Sequence, residues 1–291
     1  MVAEAVAANC RRGEIQAEEE LQNFDEVDPT YNILCGAIVI GNISIVKSMA
    51  ASVDINSFND FFGKPLPLAA VWGHLEIVQY LLDHGADPYV AAGSWDHNRP
   101  GIQIMGIGVA IHEYRDPKGS ALAAATLGGH WEIVFLLLQP KFRLPPSTAE
   151  YFRAILCGVR IDRMDLIDLL LQAAGHSLGS LGKFRDLMLW EAVCHNLESM
   201  VQTLLDHGAD INRDPYGDGT VLHLAAHLGY DRLVRALLDR GAELDNPYCR
   251  SRIPMELAAY GGHEEAVLTL AEYGQKLEIA LPYAAQNGRF I

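Results

Sequence analysis

A glycine recurs at a spacing of 33 residues along one stretch of this chain, at Gly208, Gly241 and Gly274. A valine keeps the same period at Val201, Val234 and Val267. A fixed period of this length restricts the fold severely. Each copy is one small supersecondary unit, too small to bury its own apolar face, so neighbouring copies must stack and share a core. The unit is clearest between Gly219 and Ala242. Thr220 is suited to cap a first helix whose Leu222, Leu224, Ala225 and Ala226 form a small apolar packing surface. Gly229 ends that helix. A second, amphipathic helix follows, with Leu233, Val234, Leu237 and Leu238 on one side, and Gly241 stands where a left-handed C-terminal cap is needed.

Weaker copies occur elsewhere. Lys64-Pro65-Leu66-Pro67-Leu68-Ala69-Ala70 precedes Gly73-His74, and Ile253-Pro254-Met255-Glu256-Leu257-Ala258-Ala259 precedes Gly262-His263. With Gly219-Thr220-Val221-Leu222-His223, these segments resemble the ankyrin repeat. The resemblance implies an all-α ankyrin solenoid of about seven stacked helix-turn-helix pairs with short β-hairpin or finger loops. It also implies a protein that works by binding.

Charge narrows the partners. Asp and Glu number 37 against 22 Lys and Arg, a formal net charge of −15. Nucleic acid and anionic membrane are disfavoured, because phosphate binding rests on Lys and Arg. The five cysteines, Cys10, Cys35, Cys157, Cys194 and Cys249, are odd in number and scattered, which suits a reduced cytoplasmic setting, or the nucleus. The N-terminus carries Glu4 and no apolar segment of the kind that directs secretion.

Taken in order, residues 1–28 read as a helical cap and 29–90 as two repeats. Residues 91–118 read as a long finger insertion, 119–280 as five repeats, and 281–291 as a truncated capping unit. The insertion shows in the register, because Val78 and Val134 stand 56 residues apart, well over one period. Loops of that length in a compact array are often functional, although decoration of the neighbouring finger explains the isoleucines equally well. The fourth repeat is degenerate, with Asp162-Arg163 at its turn in place of glycine, and in the fifth Trp190 stands where the signature histidine belongs.

In ankyrin-like arrays the two residues before each turn line the concave surface. The first of each pair gives Val39, Val71, Leu127, Arg160, Cys194, His227 and Tyr260, and the second includes Trp72, Gly128, His195 and Gly261. Trp72, Leu127, Arg160, His195, His227 and Tyr260 are therefore the candidate binding residues. Trp95, Asp96, His97, His112, Glu113 and Tyr114 of the insertion join them if it folds over the groove. Aromatic and arginine side chains of this kind anchor interfaces. A protein partner is the leading expectation. A small-molecule site or a non-standard enzyme is the alternative, with His195, His227, Tyr260 or Glu113 moving protons. A Cys194–His227 pairing across repeats is geometrically possible. No cofactor and no metal are expected, since no histidine or cysteine spacing matches a zinc site. Most of the eleven histidines have a structural explanation: the resemblance implies that His74, His130 and His263 are turn histidines and that His223 is a signature histidine expected to bridge the backbone of neighbouring repeats, while His84 and His207 precede cap glycines, where a cation meets the helix dipole favourably.

Overall fold

The computed structural model describes residues 29–58, 62–89, 119–217, 219–245 and 253–286. Seven helix pairs and a last short helix make up these residues. The pairs are α1 (Pro29–Val39) with α2 (Ile43–Ala50), α3 (Pro65–Trp72) with α4 (Leu75–Asp83), α5 (Ala121–Leu127) with α6 (Trp131–Leu137), and α7 (Ala149–Arg160) with α8 (Met164–Ala174). They continue with α9 (Lys183–Cys194) and α10 (Glu198–Asp206), α11 (Val221–Leu228) and α12 (Asp231–Asp239), α13 (Pro254–Gly261) and α14 (Glu264–Glu272), and end at α15 (Leu281–Gln286). No β-strand occurs among the described residues, and the finger segments they include are turns and bends with one β-bridge residue, Gly63.

The chain divides into two compact units, whose described residues are 29–174 and 175–286. In the first, α1, α3, α5 and α7 stack in sequence as one layer, while α2, α4 and α6 form the other. Helix α3 packs directly on α5, so residues 90–118 leave the stacking register intact. In the second unit α9, α11, α13 and α15 stack in one layer and α12 packs on α14 in the other. The predicted N-terminal cap at 1–28 and the insertion at 91–118 lie outside the described residues.

Helices this short are marginal in water, so their stability comes from packing. The periodic positions supply it. Val46, Val78, Val134 and Ile167 in the first unit, and Val201, Val234 and Val267 in the second, are fully buried. The first helices bury small residues, among them Ala69, Ala70, Ala124, Ala125, Ala225, Ala226, Ala258 and Ala259. Small side chains let these backbones approach closely, which is why the first layer packs so tightly. Between the repeats, polar side chains satisfy finger backbone groups. Asn56 accepts from the Asp87 amide at 2.8 Å and donates to the Gly85 carbonyl at 3.0 Å. Asn212 accepts from the Glu243 amide at 2.8 Å.

Thr220 caps α11 as the sequence indicates, and His223 completes a capping box with it: the Thr220 amide donates to His223 Nδ1 at 3.2 Å. The described bonds of His223 therefore hold its own repeat together. The bridge to a neighbouring repeat expected of a signature histidine is not among them, because Nδ1 is drawn to the free amide of the residue three positions back. His84 and His207 each place Nδ1 at 2.8 Å from the carbonyl four residues earlier, Tyr80 and Thr203, closing the last turn of α4 and α10. Trp190, at the signature position of the fifth repeat, is buried and meets Tyr216 edge-on with ring centroids 5.5 Å apart.

Degenerate turns keep the backbone shape without glycine. Asp162 has φ 55° and Asn196 has φ 54°, the left-handed region that glycine occupies at Gly73, Gly129, Gly229 and Gly262. Asp and Asn tolerate that region better than other L-residues but still carry strain. Asp162→Gly is expected to raise stability by about 0.5–1 kcal/mol, read as an upward shift in the urea midpoint; a fall would mean that the aspartate side chain holds the turn.

Candidate functional site

The proposed binding positions sit at the C-terminal ends of the first helices. Trp72, Leu127 and Arg160 are the last residues of α3, α5 and α7 in the first unit. Cys194 ends α9 and His195 caps it, while His227 and Tyr260 are next to last in α11 and α13 of the second unit. All of them are half-buried. Trp72, Arg160, Cys194, His195 and Tyr260 each already engage other groups of the chain. Trp95, Asp96, His97, His112, Glu113 and Tyr114 lie outside the described residues.

The backbone beneath these side chains is held by the next repeat. His74 Nε2 lies 3.2 Å from the Val39 carbonyl, His130 Nε2 3.1 Å from that of Val71, and His263 Nε2 2.9 Å from that of His227. A carbonyl only accepts, so each imidazole donates from Nε2. Where the sixth repeat has Tyr230 instead of histidine, the phenol donates to the Cys194 carbonyl at 3.4 Å. Four members of the row thus have their carbonyl bonded to the following turn, which pins the register of neighbouring first helices. Each ring needs space. A Cβ on Gly73 or Gly128 would strike His130, and one on Gly229 or Gly261 would strike His263. Two of the row's glycines, Gly128 and Gly261, are therefore part of the latch.

Electrostatics single out the second unit. His195 pairs with Glu191 one turn earlier on α9, Nε2 to Oε1 at 3.4 Å, both side chains largely buried. Glu191 is not among the positions expected from the sequence, although acid and histidine four residues apart on one helix face is a recognisable signal. His227 differs from the other histidines. Its Nδ1 is buried and has no hydrogen-bond partner among the described residues. Burial, with the nearby His263 second, lowers its pKa, so the ring is neutral at pH 7. That nitrogen does not hold the Cys194 thiol, so a Cys194–His227 pairing has no bond at Nδ1. An unmet buried ring nitrogen costs about 1–3 kcal/mol until something bonds to it.

Three cysteines among the described residues, Cys35, Cys157 and Cys194, are free thiols, and burial pushes that of Cys35 well up. The described residues hold no group of three or more His, Cys, Asp or Glu able to bind a metal ion, and no helix long and apolar enough to cross a membrane.

The stacked pairs, the left-handed turns and the histidine latches agree with sequence comparison. A family model described as "Ankyrin repeats (3 copies)" matches residues 6–92, 155–248 and 189–280, well over half the chain. The protein belongs to the ankyrin repeat family, and its fold is that of an interaction scaffold. Among solved structures, the human ASB11 ankyrin repeat domain aligns with a TM-score of 0.57 at 18% identity, over 86% of this chain and 99% of that one. The ankyrin repeat domain of Bcl-3, described as a unique member of the IkappaB protein family, aligns at 0.48 and 23% identity, over 82% and 97%. No curated protein matches the chain significantly.

Proposed function

We propose that the chain is a protein-interaction module that receives a partner segment on the first-helix ends, with His227 as its polar anchor in the second unit. The observation that carries this reading is the orphaned, buried and neutral Nδ1 of His227. This nitrogen is covered in the free protein, so a bound segment reaches it by turning the ring outwards, and a backbone amide or carbonyl then satisfies it, the tautomer setting which. Tyr260 on the adjacent first helix adds aromatic area, and Trp72 and Arg160 provide the corresponding anchors in the first unit. The net charge of −15 favours a basic or neutral segment and association that weakens in salt. A reduced cytoplasmic or nuclear setting fits the free thiols.

Affinity capture from native extract tests this, reading proteins and small molecules together. A protein retained by the wild type is expected to be lost, about tenfold or more in affinity, by His227→Ala with Tyr260→Ala or by Trp72→Ala with Arg160→Ala. Capture that survives both pairs rejects the concave reading. A second reading has one observation behind it, the Glu191–His195 pair, which has the makings of an acid–base site. A co-purifying small molecule, lost on Glu191→Gln, would favour it.

A further inference from the structure

The second-helix layer carries a contrast between the two units that the concave reading leaves unused. In the second unit the first residue of each second helix is acidic: Glu198, Asp231 and Glu264. A carboxylate there interacts favourably with the helix dipole. In the first unit the same position holds Ile43, Leu75, Trp131 and Met164. In three of these helices the acid stands one residue later, at Glu76, Glu132 and Asp165, and the first position presents an apolar side chain instead. Trp131 is 56% exposed and Phe135, one turn on along α6, is 54% exposed; Leu75 on the adjacent α4 is 38% exposed. Large apolar side chains clustered in this way mark interaction surfaces.

An open depression of about 610 Å³ is lined by Leu75, Tyr80 and Phe135 together with Glu76, Asp83 and Glu132; Trp131 stands outside that lining, one turn before Phe135 on α6. The cation in the lining, Lys47, is already taken: its Nζ lies 3.7 Å from Glu76 and 5.7 Å from the centre of the Tyr80 ring. Asp83 and Glu132 have no cationic partner among the described residues.

We infer that this outer face of the first unit is a second docking surface, for a basic amphipathic helix of a partner protein. The apolar side of such a helix would enter between Leu75 and Phe135, with Trp131 as the largest anchor, and its lysines or arginines would meet Asp83 and Glu132. A groove lined by aromatic and acidic side chains selects that chemistry by charge complementarity. A second copy of this chain, carrying −15, fits the acidic lining poorly. The inference does not depend on the concave site.

The test is selection of a displayed library of random peptides against the full chain. Recovered sequences are expected to carry net positive charge and apolar residues at helical spacing. Their affinity is expected to fall about tenfold with Trp131→Ala and Phe135→Ala, and to fall with Asp83→Asn and Glu132→Gln. These side chains are exposed, and the urea midpoint of each variant checks folding. The variants at Asp83 and Glu132 leave the apolar side chains intact, so they test the charge requirement separately. Acidic or extended sequences, or binding insensitive to Trp131 and Phe135, would overturn the proposal. So would a dimer in sedimentation that Trp131→Ala dissolves, which would assign the face to a second copy. Tighter peptide binding by the chain lacking residues 93–117 would assign it to that segment and equally reject the partner helix.

Discussion

Gly128→Ala is expected to lower stability by about 3 kcal/mol, although it adds a single methyl group. The backbone at Gly128 is ordinary, with φ −72°, so conformational freedom is not the reason for glycine here. Space is the reason. A Cβ would lie 2.6 Å from the Val71 carbonyl oxygen and would also overlap the His130 ring. The ring could rotate away only by giving up its bond to Val71, and the carbonyl could retreat only by parting α3 from α5. The cost thus combines overpacking with a lost hydrogen bond between repeats. Urea unfolding of the single and double variants measures it. His130→Ala alone is expected to cost about 1 kcal/mol, the value of the bond. Combined with Gly128→Ala, it removes one of the two clashes, so the double variant should be more stable than the sum of the singles implies. Strict additivity would show that the ring and the glycine do not share that space.

Acid is expected to weaken the second unit through His223. Burial pushes this imidazole down to about 4 from an ordinary value of 6.5, against the opposing pull of the Asp214 and Asp245 carboxylates. Between those two pH values the unfolded chain binds a proton that the folded chain refuses. The stability contributed by the neutral ring is therefore complete above pH 6.5, is lost as the pH falls towards 4, and then levels off. The full loss is about 3 kcal/mol, and about 2 kcal/mol of it has gone by roughly pH 5. The chemistry accounts for the direction. Nδ1 must remain a bare acceptor for the Thr220 amide, and protonation would turn it towards that amide as a second donor. Midpoints measured across this range should fall more steeply for the wild type than for His223→Gln, which cannot be protonated there. Equal slopes, or a His223 ring titrating near 6.5 by NMR, would reject the assignment.

Much of the repeat architecture was legible in the residues. The 33-residue spacing of Gly208, Gly241 and Gly274 predicted left-handed turns, and φ is 85°, 88° and 107° there. The valines of the same period are fully buried. Thr220 was legible as a cap because its neighbours were helical and its hydroxyl is short. The turn histidines were recognisable by position, but their function was not, because each acts on a carbonyl more than thirty residues away. The glycines at 128 and 261 looked like gaps in a row of binding residues, and the structure makes them clearance for those rings. The hairpin form of the fingers did not appear among the described residues.

The site was legible as positions and much less as chemistry. Family resemblance located Trp72, Arg160, His195, His227 and Tyr260 at the helix ends. It could not tell that His195 is matched by Glu191 while His227 keeps a buried nitrogen unmet, since both depend on what surrounds each ring. Trp131 and Phe135 show the same limit. Helical periodicity separates them from Ile133, Val134 and Leu137, but only packing shows that no described part of the chain covers them.

The sequence by itself determined the repeating unit, its length, the helix pairs and the turns between them. These are local properties: capping, the left-handed turn and the apolar spacing act within a few residues. The tertiary structure alone decided which carbonyl each histidine meets, which nitrogen stays unsatisfied, and which aromatic face is left open. Those outcomes depend on the distance between side chains brought together from different repeats, and no spacing along the chain encodes that distance.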